Sequence, residues 1–183
     1  MNKSLSYLRY FIIILDNNMF NYCFYNSLKR YLYNFIDYYP YILFWIDSIK
    51  HDFVNGKRSM FYIYRANKIY GLAITKNQCN AKLCHISVSN NISNRNNGSE
   101  LARIALNNLF MLNAQNVHVT VNENVLKKHM SFFNHLGFKE IDWEKNIYKR
   151  NTSEIILYKN LSQSFQNRNH MNCYMDVSCK KHY

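Results

Sequence analysis

Residues 81–138 read AKLCHISVSNNISNRNNGSELARIALNNLFMLNAQNVHVTVNENVLKKHMSFFNHLGF, and the order of the patterns within them decides the fold. Lys82 to Ser89 alternates in side-chain direction. Cys84, Ile86 and Val88 fall on one side and Leu83, His85 and Ser87 on the other, which is the period of a strand packed on at least one face. The polar run Ser89 to Asn97 predicts a loop. Beyond Gly98, a periodic segment places Leu101, Ile104, Ala105, Leu109 and Leu112 on one side of a helix. Val117 to Val121 alternates again after a short connection, as expected of a crossover that returns to the sheet as a neighbouring parallel strand. Val125 to Leu136 predicts a second helix with Leu126, Met130 and Phe133 on its apolar side. Gly137 ends it, and Phe138 opens another strand.

Strand, polar loop, glycine and helix in this order have chemical meaning. The first-turn amides of a helix have no acceptor inside it, and together with the preceding loop they form a concavity suited to a phosphate or pyrophosphate. Gly98 lets backbone approach such a ligand, and Arg95 at the lip supplies a charge-assisted contact. An ordinary capped helix fits the same residues. Asn97 is a good N-cap, and Glu100 three residues on completes a capping box. One glycine in a polar loop does not choose between these readings.

The whole unit resembles the GNAT acetyltransferase superfamily. Three features carry the resemblance: the strand ending in SV before a polar loop, the run RNNGSE at 95–100, and FFNHLGFKE at 132–140. In place of the second, the family has arginine or glutamine, two residues, glycine, one residue, then glycine or alanine. In place of the third it usually has an aromatic pair followed by a leucine-glycine-phenylalanine turn. The resemblance covers Trp45 to Lys159 and implies an α/β fold with a mixed, mostly antiparallel central sheet, one splayed strand pair and flanking helices. It also implies acetyl-CoA as cofactor and an amine as acceptor. Pyrophosphate would lie on Arg95, Asn96, Asn97, Gly98, Ser99 and Glu100. The pantetheine arm would lie along Ile86 and Val88 near Phe133, with a backbone amide near Val88 polarising the thioester.

Two positions depart from the family pattern. Glu100 stands where the last small residue belongs, and its carboxylate repels a pyrophosphate unless it turns away; in a second register Gly98 is the last glycine and Asn96 replaces the middle one. Phe133 stands where many members have a tyrosine that protonates the departing thiolate. The titratable candidates for proton transfer are His85 and His118 on adjacent strands, and Tyr148 in a loop able to fold back over the site. The resemblance therefore leaves three functions open: an N-acetyltransferase for a primary amine, an inactive CoA-binding or interaction module, and an acetyltransferase for a nucleic-acid-linked amine such as aminoacyl-tRNA.

The chain has 183 residues, a length suited to one domain with a real core, and its 48% hydrophobic content argues against disorder. We expect a folded domain over residues 1–160 and a polar, flexible tail over 161–183. The net charge of +12 suits RNA, an acidic partner or an anionic cofactor. Five cysteines form no paired ligand framework. The spacing of Cys173 and Cys179, with His170 and His182 nearby, is not that of a zinc finger, so no metal site is expected. The FIIIL run near the N-terminus is too short for a signal core or a membrane span, and a cytoplasmic location is expected.

Outside the central unit, Ser4 to Leu15 predicts a first strand and Met19 to Tyr38 one or two helices. Tyr41 to Phe53 predicts a helix with Ile42, Ile46, Ile49 and Phe53 on one face. Arg58 to Tyr64 and Ile69 to Thr75 predict a hairpin turning at Ala66-Asn67-Lys68, and Glu154 to Tyr158 a last strand. The cluster Tyr38, Tyr39, Tyr41, Phe44 and Trp45 reads equally as a substrate cradle or as packing material.

Overall fold

A computed structural model describes residues 22–90 and 95–162, apart from the side chains of Arg65 and Arg95. The strand expected at Ser4–Leu15 lies outside the described residues, as does the tail expected at 161–183 except for its first two residues, of which Leu161 is buried and its N–H donates to the Gln115 carbonyl at 2.9 Å.

Helix α1 (Tyr22–Tyr33) buries Phe24, Leu28, Tyr31 and Leu32. Two short helices follow Pro40, α2 (Ile42–Ser48) and α3 (Lys50–Val54), divided at Ile49 where φ is −97° and ψ 7°. The expected apolar face survives the division, since Ile42, Ile46, Ile49 and Phe53 are all buried.

Strands β1 (Arg58–Arg65) and β2 (Lys68–Lys76) form the expected hairpin. Its turn is the pair Ala66-Asn67, both at positive φ (46° and 58°), the conformation that a tight two-residue hairpin needs. Strand β3 (Asn80–Val88) pairs antiparallel with β2. Helix α4 (Arg95–Met111) crosses to β4 (Asn116–Asn122), which runs parallel to β3. Helix α5 (Glu123–His135), β5 (Lys139–Lys145) and β6 (Ser153–Asn160) complete the fold. The sheet order is β1-β2-β3-β4-β6-β5, so the last strand inserts between β4 and β5. Among the described strands only the β3–β4 pair is parallel, which makes the sheet mixed and mostly antiparallel, as expected.

The sheet has a core on each face. On one side α4 and α5 cover Phe61, Ala73, Leu83, Val119 and Leu157. On the other, α1–α3 cover Met60, Tyr62, Leu72 and Ile74. At about 25 cal/mol per Å² of apolar surface removed from water, these two layers supply the main driving force for the fold.

Four details of the sequence reading need correction. First, β3 does not alternate without interruption. Ile74 pairs with His85 and Thr75 with Leu83, leaving Cys84 as an extra residue in a bulge. The bulge inverts the alternation, so Leu83, Ile86 and Val88 all pack toward α4 and α5. Cys84, His85 and Ser87 face α1–α3, where His85 meets the Phe35 ring and Ser87 the Tyr31 hydroxyl. Second, α4 begins at Arg95 rather than after Gly98, so Asn97 is a buried first-turn residue and not the N-cap, and no capping box forms with Glu100. Third, Leu112 lies past the last residue of α4 and is 52% exposed. Fourth, Met130 is exposed, because α5 breaks at His129 (φ −125°, ψ 15°) and turns the next residue outward while Leu126 and Phe133 stay buried.

Candidate active site

The bulge at Cys84 and the parting of β3 from β4 lie together. The two strands pair over only three rungs, Asn80↔Asn116, Ala81↔Val117 and Lys82↔His118, and then separate. The edge of β3 that this opens can be identified. Ser89 N–H donates to the Tyr70 carbonyl at 2.6 Å, and backbone polar groups of successive strand residues point to alternate edges. The N–H and C=O groups of Ile86 and Val88 therefore point toward the edge that β4 leaves.

Three elements converge beside this edge. A Cβ placed on Gly98, in the first turn of α4, would lie 3.5 Å from Phe132 and 3.7 Å from Val88. The amides at the start of α4 thus sit directly over the end of β3 and against α5. Asn96 and Glu100 are exposed, Asn97 is buried and Ser99 half-buried. Glu100 lies in the second turn of α4, clear of the first-turn amides.

A cavity of about 680 Å³ runs through the gap between the strands. One wall is Ile86, Val119, Val125 and Phe133; the other is Phe35, Tyr38, Tyr39 and Trp45. Of the cluster Tyr38, Tyr39, Tyr41, Phe44 and Trp45, all but the exposed Phe44 line the cavity, and Tyr39 and Trp45 also pack on the core under α1–α3.

The structure brings two of the three titratable candidates to this cavity. His85 lines it, with Nε2 2.7 Å from the Ser87 hydroxyl and its ring edge-on to Phe35. Burial pushes the imidazole down to about 4 from 6.5. Tyr148 also lines the cavity, from the loop between β5 and β6. Its hydroxyl accepts from Lys82 Nζ at 3.4 Å and its ring stands edge-on to Tyr39. The loop folds back because Asn146 and Asn151 take positive φ, Asn151 N–H donates to the Asn146 side chain, and Lys149 Nζ donates to the Asp37 carbonyl at 2.9 Å. His118 does not line the cavity. It occupies the last paired rung beside Lys82, and burial first, then the charge of Lys82, hold its pKa down.

Groups that the sequence reading missed hold the far end of β4. Asn122 caps α5 by accepting from Asn124 N–H at 3.0 Å, its side-chain amide donates to Glu154 Oε1 at 3.1 Å, and its backbone N–H donates to the Tyr39 hydroxyl at 3.4 Å. Glu154 is fully buried, and burial raises its pKa. Asn at the end of VHVTV, just before a helix, is a capping signal that a closer reading of the strand end would have found. Burial of Glu154 is set by pairing with β4 and has no local signal.

His85 gives a pH prediction. Its folded pKa lies below its unfolded value, so the unfolded chain takes up the proton first as pH falls. The stability that His85 contributes is complete above 6.5 and is lost as pH drops toward 4. Between pH 7 and pH 5 the wild type should lose about 2 kcal/mol more than His85→Leu, read from urea midpoints at both values. Equal losses in the two proteins would contradict the buried neutral imidazole.

Comparison with solved structures gives the same architecture. An aminoglycoside 6'-N-acetyltransferase complexed with coenzyme A superposes with a TM-score of 0.63 at 13% identity, covering 81% of this chain and 97% of that one. The aminoglycoside 6'-N-acetyltransferase from Enterococcus faecium gives 0.62 at 12% identity over 81% and 97%. A GNAT family acetyltransferase from Elizabethkingia anophelis with acetyl-CoA bound gives 0.51 at 15% identity over 60% and 80%. At these identities the likeness establishes the fold, that of an acetyltransferase. Residues 38–170 match the acetyltransferase (GNAT) domain model, and the chain belongs to that family. No curated protein matches the sequence. Among the described residues no helix is long and apolar enough to cross a membrane, and no group of three or more metal-ligating side chains occurs.

Proposed function

We propose that the protein is an N-acetyltransferase that uses acetyl-CoA and a primary amine. The observation that carries this reading is the open edge of β3 at Ile86 and Val88, lying directly beside the first turn of α4. An extended amide chain can pair with that edge as an added strand, and a pyrophosphate can sit on the α4 amides. The close approach of Gly98 to Val88 and Phe132 fits such a ligand, because a larger side chain would occupy the groove between them. Two of the solved neighbours hold coenzyme A or acetyl-CoA, which supports the same assignment.

Acetyl-CoA, when bound, supplies a thioester whose acetyl carbon is attacked by the amine nitrogen as the carbon–sulfur bond breaks. The chain's own groups then have separate tasks. Ile86 N–H, on the open edge and beside the cavity, would donate to the thioester oxygen as charge develops there. Arg58, Lys76 and Lys82 place positive charge on the acceptor side of the cavity, which favours the neutral amine over the ammonium and so frees the nucleophilic lone pair. His85, held neutral by burial, adds no further positive charge. Tyr148 carries the hydroxyl that Phe133 lacks, and we assign to it protonation of the departing thiolate.

The test is amine-dependent release of free thiol from acetyl-CoA. The expected result is release above the hydrolysis background with at least one class of primary amine. Absence of amine-dependent release across anionic, neutral and cationic amines contradicts the transferase reading.

A further inference from the structure

The sheet carries a row of three cations of which, among the described residues, only Arg58 has an ion-pair partner. Arg58 on β1 pairs with Lys76 on β2, and Lys76 pairs with Lys82 on β3, so three cations occupy one rung across three neighbouring strands. Lys82 in turn pairs with His118 on β4. Like charges directly opposite one another weaken strand pairing. Folding alone therefore does not favour Lys76 and Lys82 side by side on this rung.

All three cations point to the acceptor side. Along β1 and β2, Met60, Tyr62, Leu72 and Ile74 face the core under α1–α3, and Arg58 and Lys76 share their parity. Lys82 lies between Ala81 and Leu83, which face the opposite core. The three charges surround Cys84, whose thiol burial pushes up and whose thiolate each of them favours. Arg58 is fixed in place: its Nε donates to Asp52 at 2.8 Å, its Nη1 lies 3.1 Å from Cys84 Sγ, and its guanidinium stands 5.9 Å from the Trp45 ring. Among the described residues Lys76 and Lys82 form no ion pair. Of the described residues that line the cavity, four are Lys or Arg and none is Asp or Glu.

Resting on the transferase reading above, we propose that the acceptor is an amine that also carries a carboxylate or phosphate, which Arg58, Lys76 and Lys82 bind while its body lies against Trp45, Tyr38 and Tyr41. The anion removes the repulsion along the rung, and charge-assisted hydrogen bonds hold it. The fourth cation, Lys128, is on α5 across the cavity and is left to the cofactor side. The same row repels polycations. Aminoglycosides, named for two structural neighbours, are thus poor acceptors for this chain.

The experiment compares tyramine, tyrosine and tyramine O-phosphate, which share one ring and differ in having no anion, a carboxylate beside the amine, or a phosphate far from it. Binding of each is measured by calorimetry on the full-length protein with saturating CoA, and KM by thiol release. The expected result is that at least one anionic amine binds roughly tenfold or more tightly than tyramine, a difference of about 1.4 kcal/mol. Which one prevails tells carboxylate from phosphate recognition. Lys76→Glu, at an exposed position where folding is not at risk, should abolish the preference, and Lys76→Arg should keep it. The inference is overturned if tyramine or an aminoglycoside binds as well as both anionic amines, or if Lys76→Glu leaves the preference unchanged. Binding of acetyl-CoA in the same calorimeter reads the transferase proposal separately.

Discussion

Gly98→Ala is expected to leave the protein folded and at least as stable, while weakening acetyl-CoA binding roughly tenfold, equivalent to about 1.4 kcal/mol. The two effects have opposite signs for a physical reason. The added methyl meets Phe132 at 3.5 Å and Val88 at 3.7 Å, ordinary contact distances, so the apo fold accommodates it. Within a helix, alanine in place of glycine gains up to about 1 kcal/mol through reduced backbone entropy. The same methyl occupies the groove through which a cofactor would pass from the α4 amides to the β3 edge. Gly98→Val adds two further carbons there, and a loss of roughly a hundredfold is expected. Urea unfolding and calorimetric titration of the three proteins check both signs. Undiminished binding by the valine variant would remove the pyrophosphate and its pantetheine arm from this turn.

Tyr148→Phe should lower kcat by roughly a hundredfold with little change in acetyl-CoA affinity, the scale of a lost general acid. The substitution keeps the ring that stands 5.5 Å from Tyr39 and removes only the hydroxyl beside Lys82. The loop is anchored independently through Asn146, Asn151 and Lys149, so it keeps its place. A merely structural role for Tyr148 would move KM or stability. A proton-donor role moves kcat alone, with KM and the urea midpoint kept. An unchanged kcat would return the thiolate to unassisted departure.

Much of this architecture is legible in the sequence because it rests on periodicity. Leu101, Ala105 and Leu109 mark the buried face of α4, VHVTV marks β4, and the LGF turn marks the end of α5. What escaped local reading depends on single residues or on pairing. The bulge at Cys84 is invisible in the pattern because Leu83 and Ile86 are both apolar and suit either face, so an extra residue between them leaves no mark. The early start of α4 was hidden by Arg95, Asn96 and Asn97, polar residues that fit a loop as well as a first turn. The cationic row exists only once the register sets Arg58 opposite Lys76 and Lys76 opposite Lys82. Glu154 illustrates the same limit: it sits at the start of an apolar strand, and only its pairing with Asn122 shows that it is buried.

The departures from the family pattern take on physical content in this frame. Glu100 stands in the second turn of α4 and is solvent-exposed, so its carboxylate does not occupy the anion cradle. Phe133 packs in the core between Phe132 and Phe138, where a hydroxyl would need a partner. Tyr148, reaching the cavity from the opposite strand connection, offers the missing hydroxyl from a loop that is itself pinned.

The central claim, that the open edge of β3 and the first turn of α4 hold acetyl-CoA, is tested most directly by calorimetric titration of the full-length protein with acetyl-CoA. Saturable binding at one site per chain, displaced by CoA and weakened in the order glycine, alanine, valine at position 98, is the predicted result. A protein that circular dichroism shows to be folded and that takes up no acetyl-CoA would contradict it.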